Sequence, residues 1–159
     1  LELNVAFYRF PDLTVFKGWY KITPSNFYFY VKAPQLTTQY KKLNDCEKII
    51  DHFYETVKEG LKEKAGAFLF QFPPSFHFSK EKLDKIIKSL NPEFPNVVEF
   101  RHSSWWNDEV YKELGKNNIT FSGMSHPVLP EMIIQNNSLL YYRMHGVPEL
   151  QKSPYSTEY

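Results

Sequence analysis

Glu99 and Arg101 lie two positions apart, as do Arg143 and His145, and each pair closes an otherwise apolar run. Lys32 closes a third run and Gln71 a fourth, while Asn4 follows Glu2 by two in LELNVAFYRF. Alternate residues of a strand share one face, so the members of each pair point the same way. Five hydrophobic stretches end in polar or charged groups: FYFYVK at 27–32, AFLFQ at 67–71, NVVEFRH at 96–102, ITFSGMS at 119–125 and LLYYRMH at 139–145. Arginine offers a planar fork of donors to a carboxylate or phosphate, and lysine a point charge or, when desolvated beside other cations, an amine that gives up its proton more easily. Imidazole titrates near neutrality, which makes His145 the acid/base candidate. Glu99 joins it as a general base if Arg101 does not hold it as a positioning anion. The binding candidates are Lys32, Gln71, Arg101, Arg143 and Asn4. Three aromatics on the loop side of strands, Tyr8, Trp105 and Tyr155, are candidates for stacking on a sugar or base, against the commoner outcomes of core packing or loop anchoring. Structural ion pairing is the plain alternative for Glu99 with Arg101, and a hydrogen bond to a neighbouring strand for His145.

Composition narrows the partner. With 19 basic and 18 acidic residues the formal net charge is +1, so global charge argues for neither nucleic acid nor a membrane surface. No apolar run approaches the length of a membrane span. The single cysteine, Cys46, excludes an internal disulfide and fits a reducing, cytoplasmic setting. HExxH pairs, cysteine clusters and dense carboxylate sets are absent, as is a GxSxG elbow beside Ser103, Ser104 or Ser125. A metal held jointly by Glu2, Glu99 and His145 is the one metal arrangement weighed. No metal and no cofactor is assigned.

Strand and helix patterns alternate along the chain. The reading places a strand within 1–10 that runs into a loop closed by Pro11, and strands at 27–32, 67–72, 96–102, 119–124 and 139–144. A helix at 13–22 puts Phe16, Trp19 and Tyr20 on one face. In the next helix Asn44 is the expected N-cap, with an apolar stripe of Cys46, Ile49, Ile50, Phe53 and Val57. Ser79 caps a helix burying Leu83, Ile86, Ile87 and Leu90, and Asn107 caps one through Leu114, with Gly115 in its final turn. A short helical segment is expected at 131–135. About 25 residues per unit is the rhythm of a parallel sheet, and no phosphate-binding glycine loop follows any strand. The expected fold is therefore α/β, a TIM-barrel-like (β/α) repeat with about six parallel strands of an eight-stranded barrel present. In such a barrel Phe68, Phe70, Phe72, Val98, Phe100, Tyr142 and Met144 pack under helices, and the charged faces converge at the carboxyl rim.

The motifs VEFRHSSWW (98–106), YYRMHG (141–146), FQFPPSF (70–76), YVKAP (30–34) and ELNVAFYRFP (2–11), in this order, resemble the DUF72, or YecE-like, family over nearly the whole chain. The resemblance implies a TIM-barrel-like fold and a family without an established activity. It also implies that 1–159 is a single but incomplete domain, a central fragment lacking a first strand with a glycine- and tryptophan-rich loop and a last strand followed by an asparagine-containing motif. Thr38-Gln39 and Gln151 depart from the family's usual Thr-His and aromatic, which weakens those loop positions as candidates for obligatory chemistry. The leading functional expectation is an enzyme, a hydrolase or lyase, acting on a small phosphate- or carboxylate-bearing substrate. A nucleic-acid-binding barrel and a noncatalytic metabolite-binding protein are the alternatives. Oligomeric state is not legible.

Overall fold

The computed structural model describes residues 1–152 and Tyr155. Strands β1 (Glu2–Leu3), β2 (Phe29–Lys32), β3 (Ala65–Phe72), β4 (Asn96–Phe100) and β5 (Ile119–Phe121) form one parallel sheet in sequential order. Strands β6 (Gly123–Ser125) and β7 (Tyr142–Met144) form a second parallel pair. The two sheets join at Ser122, whose N–H donates to Val98 O at 2.8 Å while the next N–H, of Gly123, donates to Tyr141 O at 3.0 Å. The single strand expected at 119–124 is thus two, divided where its partner changes from β4 to β7.

Helices α1 (Val5–Tyr8), α2 (Leu13–Ile22), α3 (Glu47–Leu61), α4 (Lys80–Ser89) and α5 (Asp108–Lys116) occupy the crossovers. Phe68, Phe70 and Phe72 of β3 and Val98 and Phe100 of β4 are buried in one core with Ile50, Phe53 and Val57 of α3, Leu83 and Ile86 of α4, and Val110 and Leu114 of α5. Stripes of this kind drive docking because each buried apolar side chain contributes about 1.5–3 kcal/mol. The alternate residues Ala67, Leu69 and Val97 form a separate cluster on the opposite face, with Tyr30, Leu139 and Tyr141 packed against it. A parallel strand buried on both faces is the reason these runs read as nearly all apolar.

Ser79 and Asn107 cap α4 and α5, their side chains accepting from the N–H groups of Lys82 and Val110. Several expectations need correction. The stretch 1–10 is extended only at β1, which pairs with β2 up to Leu3–Val31; past Lys32, Ala33 N–H donates to Leu69 O and Pro34 has no N–H, so Val5–Tyr8 coils instead. Cys46, not Asn44, is the N-cap of α3, and the Asn44 side chain bonds to Lys41 O and to Lys85. Helix α5 runs past Leu114 to Lys116, which keeps Gly115 in its final turn as expected, and Asn118 takes the left-handed conformation. Residues 131–135 are not helical: Met132 bridges Met124, and the Asn136 amide accepts from Phe121 N and donates to Ile119 O and Tyr111 O. One side chain thereby satisfies backbone groups at the end of β5, in place of a helix's own ladder. Met144 is exposed rather than covered by a helix.

Candidate functional site

All strand pairings are parallel, so the carboxyl ends of β2, β3, β4, β6 and β7 lie together. The cross-strand register sets Lys32 beside Leu69, and Gln71 beside Glu99. Inward-facing polar side chains from these ends surround a cleft of about 720 Å³, lined by Lys32, Gln71, Arg101, Arg143 and His145 together with Asn4, Phe7 and Tyr8.

Beneath the cleft floor lies Glu99, fully buried. Arg101 Nε donates to Glu99 Oε1 and Arg143 Nη1 to Glu99 Oε2, and His145 Nε2 lies 3.7 Å from Oε2. Burial alone would raise the Glu99 pKa, but His145 and the two guanidiniums outweigh it and hold the carboxyl far below the usual carboxylate range. Both carboxylate oxygens are paired, the arrangement expected of the positioning anion weighed beside the general base. Glu99 is a fixed counter-ion that positions Arg101 and Arg143.

Arg143 also differs from a free clamp. Its Nε and Nη2 grip Glu2 at 2.9 and 2.6 Å, a bidentate pair, while Tyr141 hydroxyl donates to Glu2 Oε2 at 2.8 Å. Burial raises the Glu2 carboxyl, yet the Arg143, Tyr141 and Asn4 contacts bring it below its ordinary value. Burial followed by the Glu2 charge pushes the Tyr141 phenol up. With a guanidinium already seated between Glu2 and Glu99, the metal arrangement of Glu2, Glu99 and His145 has no room for its ion. Among the described residues no group of three or more histidine, cysteine or acidic side chains is disposed to hold a metal.

Lys32 is the contrasting cation. It is 7% exposed, its ammonium sits 3.8 Å from the centre of the Phe7 ring, and among the described residues no hydrogen bond or ion pair holds it. Burial first and the Arg143 charge second lower its pKa to about 8, against the opposing pull of Glu99 and Glu2. Arg101 Nη2 meets His145 Nε2 at 3.0 Å. Among the described residues three cations against two carboxylates leave one positive charge in excess around the cleft.

The aromatic candidates divide. Tyr8 is exposed at the cleft mouth. Trp105 does not reach it: the indole is fully buried, stacked 4.0 Å from Phe100 with Nε1 donating to Phe76 O, because the turn at Ser103–Trp105 folds back over the helix-side core. Tyr155 lies outside the cleft lining, its hydroxyl accepting from Gly146 N at 2.6 Å and donating to Ser125 Oγ at 3.0 Å. Asn4 turns toward Glu2 Oε1.

Three polar lining residues were not among the candidates. His126 follows β6 directly, and the rule of polar strand ends would have found it; burial first, then Arg101 and His145, lower its pKa. Gln39 sits in a π-helical turn, Leu36–Tyr40, and donates to Gln71 O at 2.6 Å. Gln151 completes the wall. The last two carry no spacing signal, being brought in by loops.

A parallel α/β scaffold with a charged cleft at the carboxyl strand ends defines the class of protein. The chain belongs to the DUF72 family, described as "Protein of unknown function DUF72", which it matches over residues 1–159. It is 31% identical over 120 residues to the UPF0759 protein YunF of Bacillus subtilis, covering 71% of this chain and 43% of that protein. Its fold is similar to the crystal structure of a DUF72 family protein from Thermotoga maritima, with a TM-score of 0.81 and 30% identity over 99% of this chain and 67% of that one. A DUF72 family protein from Enterococcus faecalis shares the fold with a TM-score of 0.80 at 23% identity, over 96% of this chain and 62% of that one. The chain thus spans less than half the length of its YunF relative and under two thirds of the Enterococcus structure. No helix among the described residues is long and apolar enough to cross a membrane.

Proposed function

We propose that the two parallel sheets are parts of a TIM-barrel-like (β/α) wall, and that the cleft at its carboxyl rim serves an enzyme acting on a small substrate bearing a phosphate or carboxylate. The observation that carries this reading is Lys32: a nearly buried ammonium facing the cleft without a carboxylate partner among the described residues, beside an Arg143 already compensated by Glu2 and Glu99. An incoming anion supplies the missing counter-charge, and desolvation in the cleft strengthens that attraction. Arg101 presents the second positive group, Gln39, Gln71 and Asn4 the neutral polar contacts, and His145 with His126 the acid/base capacity.

Stacking on nucleobases has less support, because of the three loop aromatics only Tyr8 stands exposed in the cleft. Calorimetric titration with inorganic phosphate and with malonate tests the reading. One saturable, salt-sensitive site that disappears in Lys32→Met is expected; absence of saturable binding at low ionic strength would reject it. A ligand that remains chemically unchanged on prolonged incubation would favour the noncatalytic alternative.

A further inference from the structure

Resting on the anion-site reading, we infer that Lys32 is a nucleophile that forms an imine with the carbonyl of an aldehyde or ketone whose far end is a carboxylate or phosphate. Such an amine needs freedom from ion pairing, space for a carbonyl carbon and groups that carry protons to the departing oxygen.

The fold treats its two buried lysines differently. Lys64 is 4% exposed, and its ammonium donates to Tyr20 O and Thr23 O at 2.7 Å and to Thr23 Oγ1 at 3.2 Å, so it is a structural cation. Lys32 has no such acceptors among the described residues. Glu2 and Glu99, the carboxylates near enough to influence it, are both engaged by Arg143, and Glu99 by Arg101 as well. Guanidiniums thus screen Lys32 from the groups that would otherwise keep it protonated, and the Phe7 ring covers its side. The fall of its pKa to about 8 follows from this geometry and leaves a useful fraction of free amine near neutrality.

Space and proton carriers are in the same cleft. His145 and His126 both line it, their rings 6.1 Å apart, as do Gln39 and Gln71. In the first step the Lys32 Nζ lone pair forms the C–N bond, the carbonyl π pair moves to oxygen, the oxygen takes one proton and the nitrogen loses one. In the second the hydroxyl takes another proton, the C–O bond breaks and water leaves, while the nitrogen lone pair closes the C=N bond as an iminium, whose remaining N–H proton is given up in place of the one taken. Amine plus carbonyl gives imine plus water, with no change of oxidation state. The imine then withdraws electrons from the adjacent carbon, which suits cleavage or elimination rather than hydrolysis.

Reductive trapping tests the inference on the intact protein. Incubation with pyruvate and sodium cyanoborohydride, followed by peptide mass spectrometry, should place the reduced adduct on Lys32 at least about tenfold above the exposed Lys58 and Lys88. Inorganic phosphate should compete, and Lys32→Arg should lose the adduct. Calorimetry with pyruvate and with lactate, which keeps the carboxylate but lacks the carbonyl, runs alongside. Adducts spread evenly over exposed lysines, or binding of both acids without trapping at Lys32, would overturn the imine and leave the anion site standing. If neither acid nor phosphate binds and nothing is trapped, both readings fall.

Discussion

Arg143 on β7 grips Glu2 on β1 through two parallel N–H to carboxylate bonds of 2.9 and 2.6 Å, across 141 positions of sequence. The pair ties the last described strand to the first, and the same guanidinium reaches the buried Glu99 between them. Charge placement in this cleft is therefore also tertiary structure.

Arg143→Ala should destabilise the protein by about 3–5 kcal/mol, because it leaves Glu2 and the fully buried Glu99 short of their counter-ion. Urea denaturation at neutral pH measures this. A loss under 1 kcal/mol, in the range of exposed pairs, would show that the network carries little stability.

Acid stability should follow Glu99. The unfolded chain takes up a proton near the ordinary value of 4.5, whereas the folded protein keeps the carboxylate ionised well below it. This contribution is complete above about pH 4.5 and is lost as the pH falls toward the folded value. Glu99→Gln should be less stable at pH 7 and should lose less on going to pH 3, the residual slope belonging to Glu2 and other acids. Equal acid slopes in wild type and variant would contradict the assignment.

Lys32 acts in the opposite sense. The unfolded amine holds its proton up to about 10.5 and the folded one releases it near 8, so stability rises with pH between these values. Lys32→Met should therefore be more stable than wild type at pH 7, by up to about 3 kcal/mol, with the difference shrinking toward pH 10. Paired denaturation curves at both pH values give the answer, and a variant less stable than wild type at pH 7 would mean that the ammonium is compensated.

Two helical glycines make a matched pair. A Cβ on Gly18 of α2 meets nothing, so Gly18→Ala should stabilise by about 0.5–1 kcal/mol through propensity alone. On Gly115 of α5 the same carbon would collide with the backbone carbonyl of Asn136, the residue that satisfies the end of β5, and Gly115→Ala should cost about 1–3 kcal/mol. Thermal unfolding of the two variants should show shifts of opposite sign.

Much of this protein is legible one segment at a time. Period-two alternation in AFLFQF separates Phe68, Phe70 and Phe72 from Leu69 and Gln71, and the structure sends the first set under the helices and the second toward the opposite face and the cleft. Ser79 and Asn107 cap their helices because an N-cap needs only a side-chain oxygen and the next turn of backbone. The same periodicity brings Lys32, Arg101, Arg143 and His145 to one cleft, with Glu99 beneath it.

What each of those groups does there depended on partners far away in the chain. Glu99 and Arg101 read as a local pair, but Arg143 and His145 turn the glutamate into a locked anion. Trp105 looked available until the Ser103–Trp105 turn placed it on Phe100, and residues 131–135 carry the Met132 bridge to Met124 where a helix was expected. The amino-acid sequence by itself determined the alternation of strand and helix, the faces of the strands and the family, because backbone periodicity is local. Only the tertiary structure decided which charges are cancelled and that Lys32 is not, because desolvation and ion pairing are set by distances between segments that the linear order leaves open.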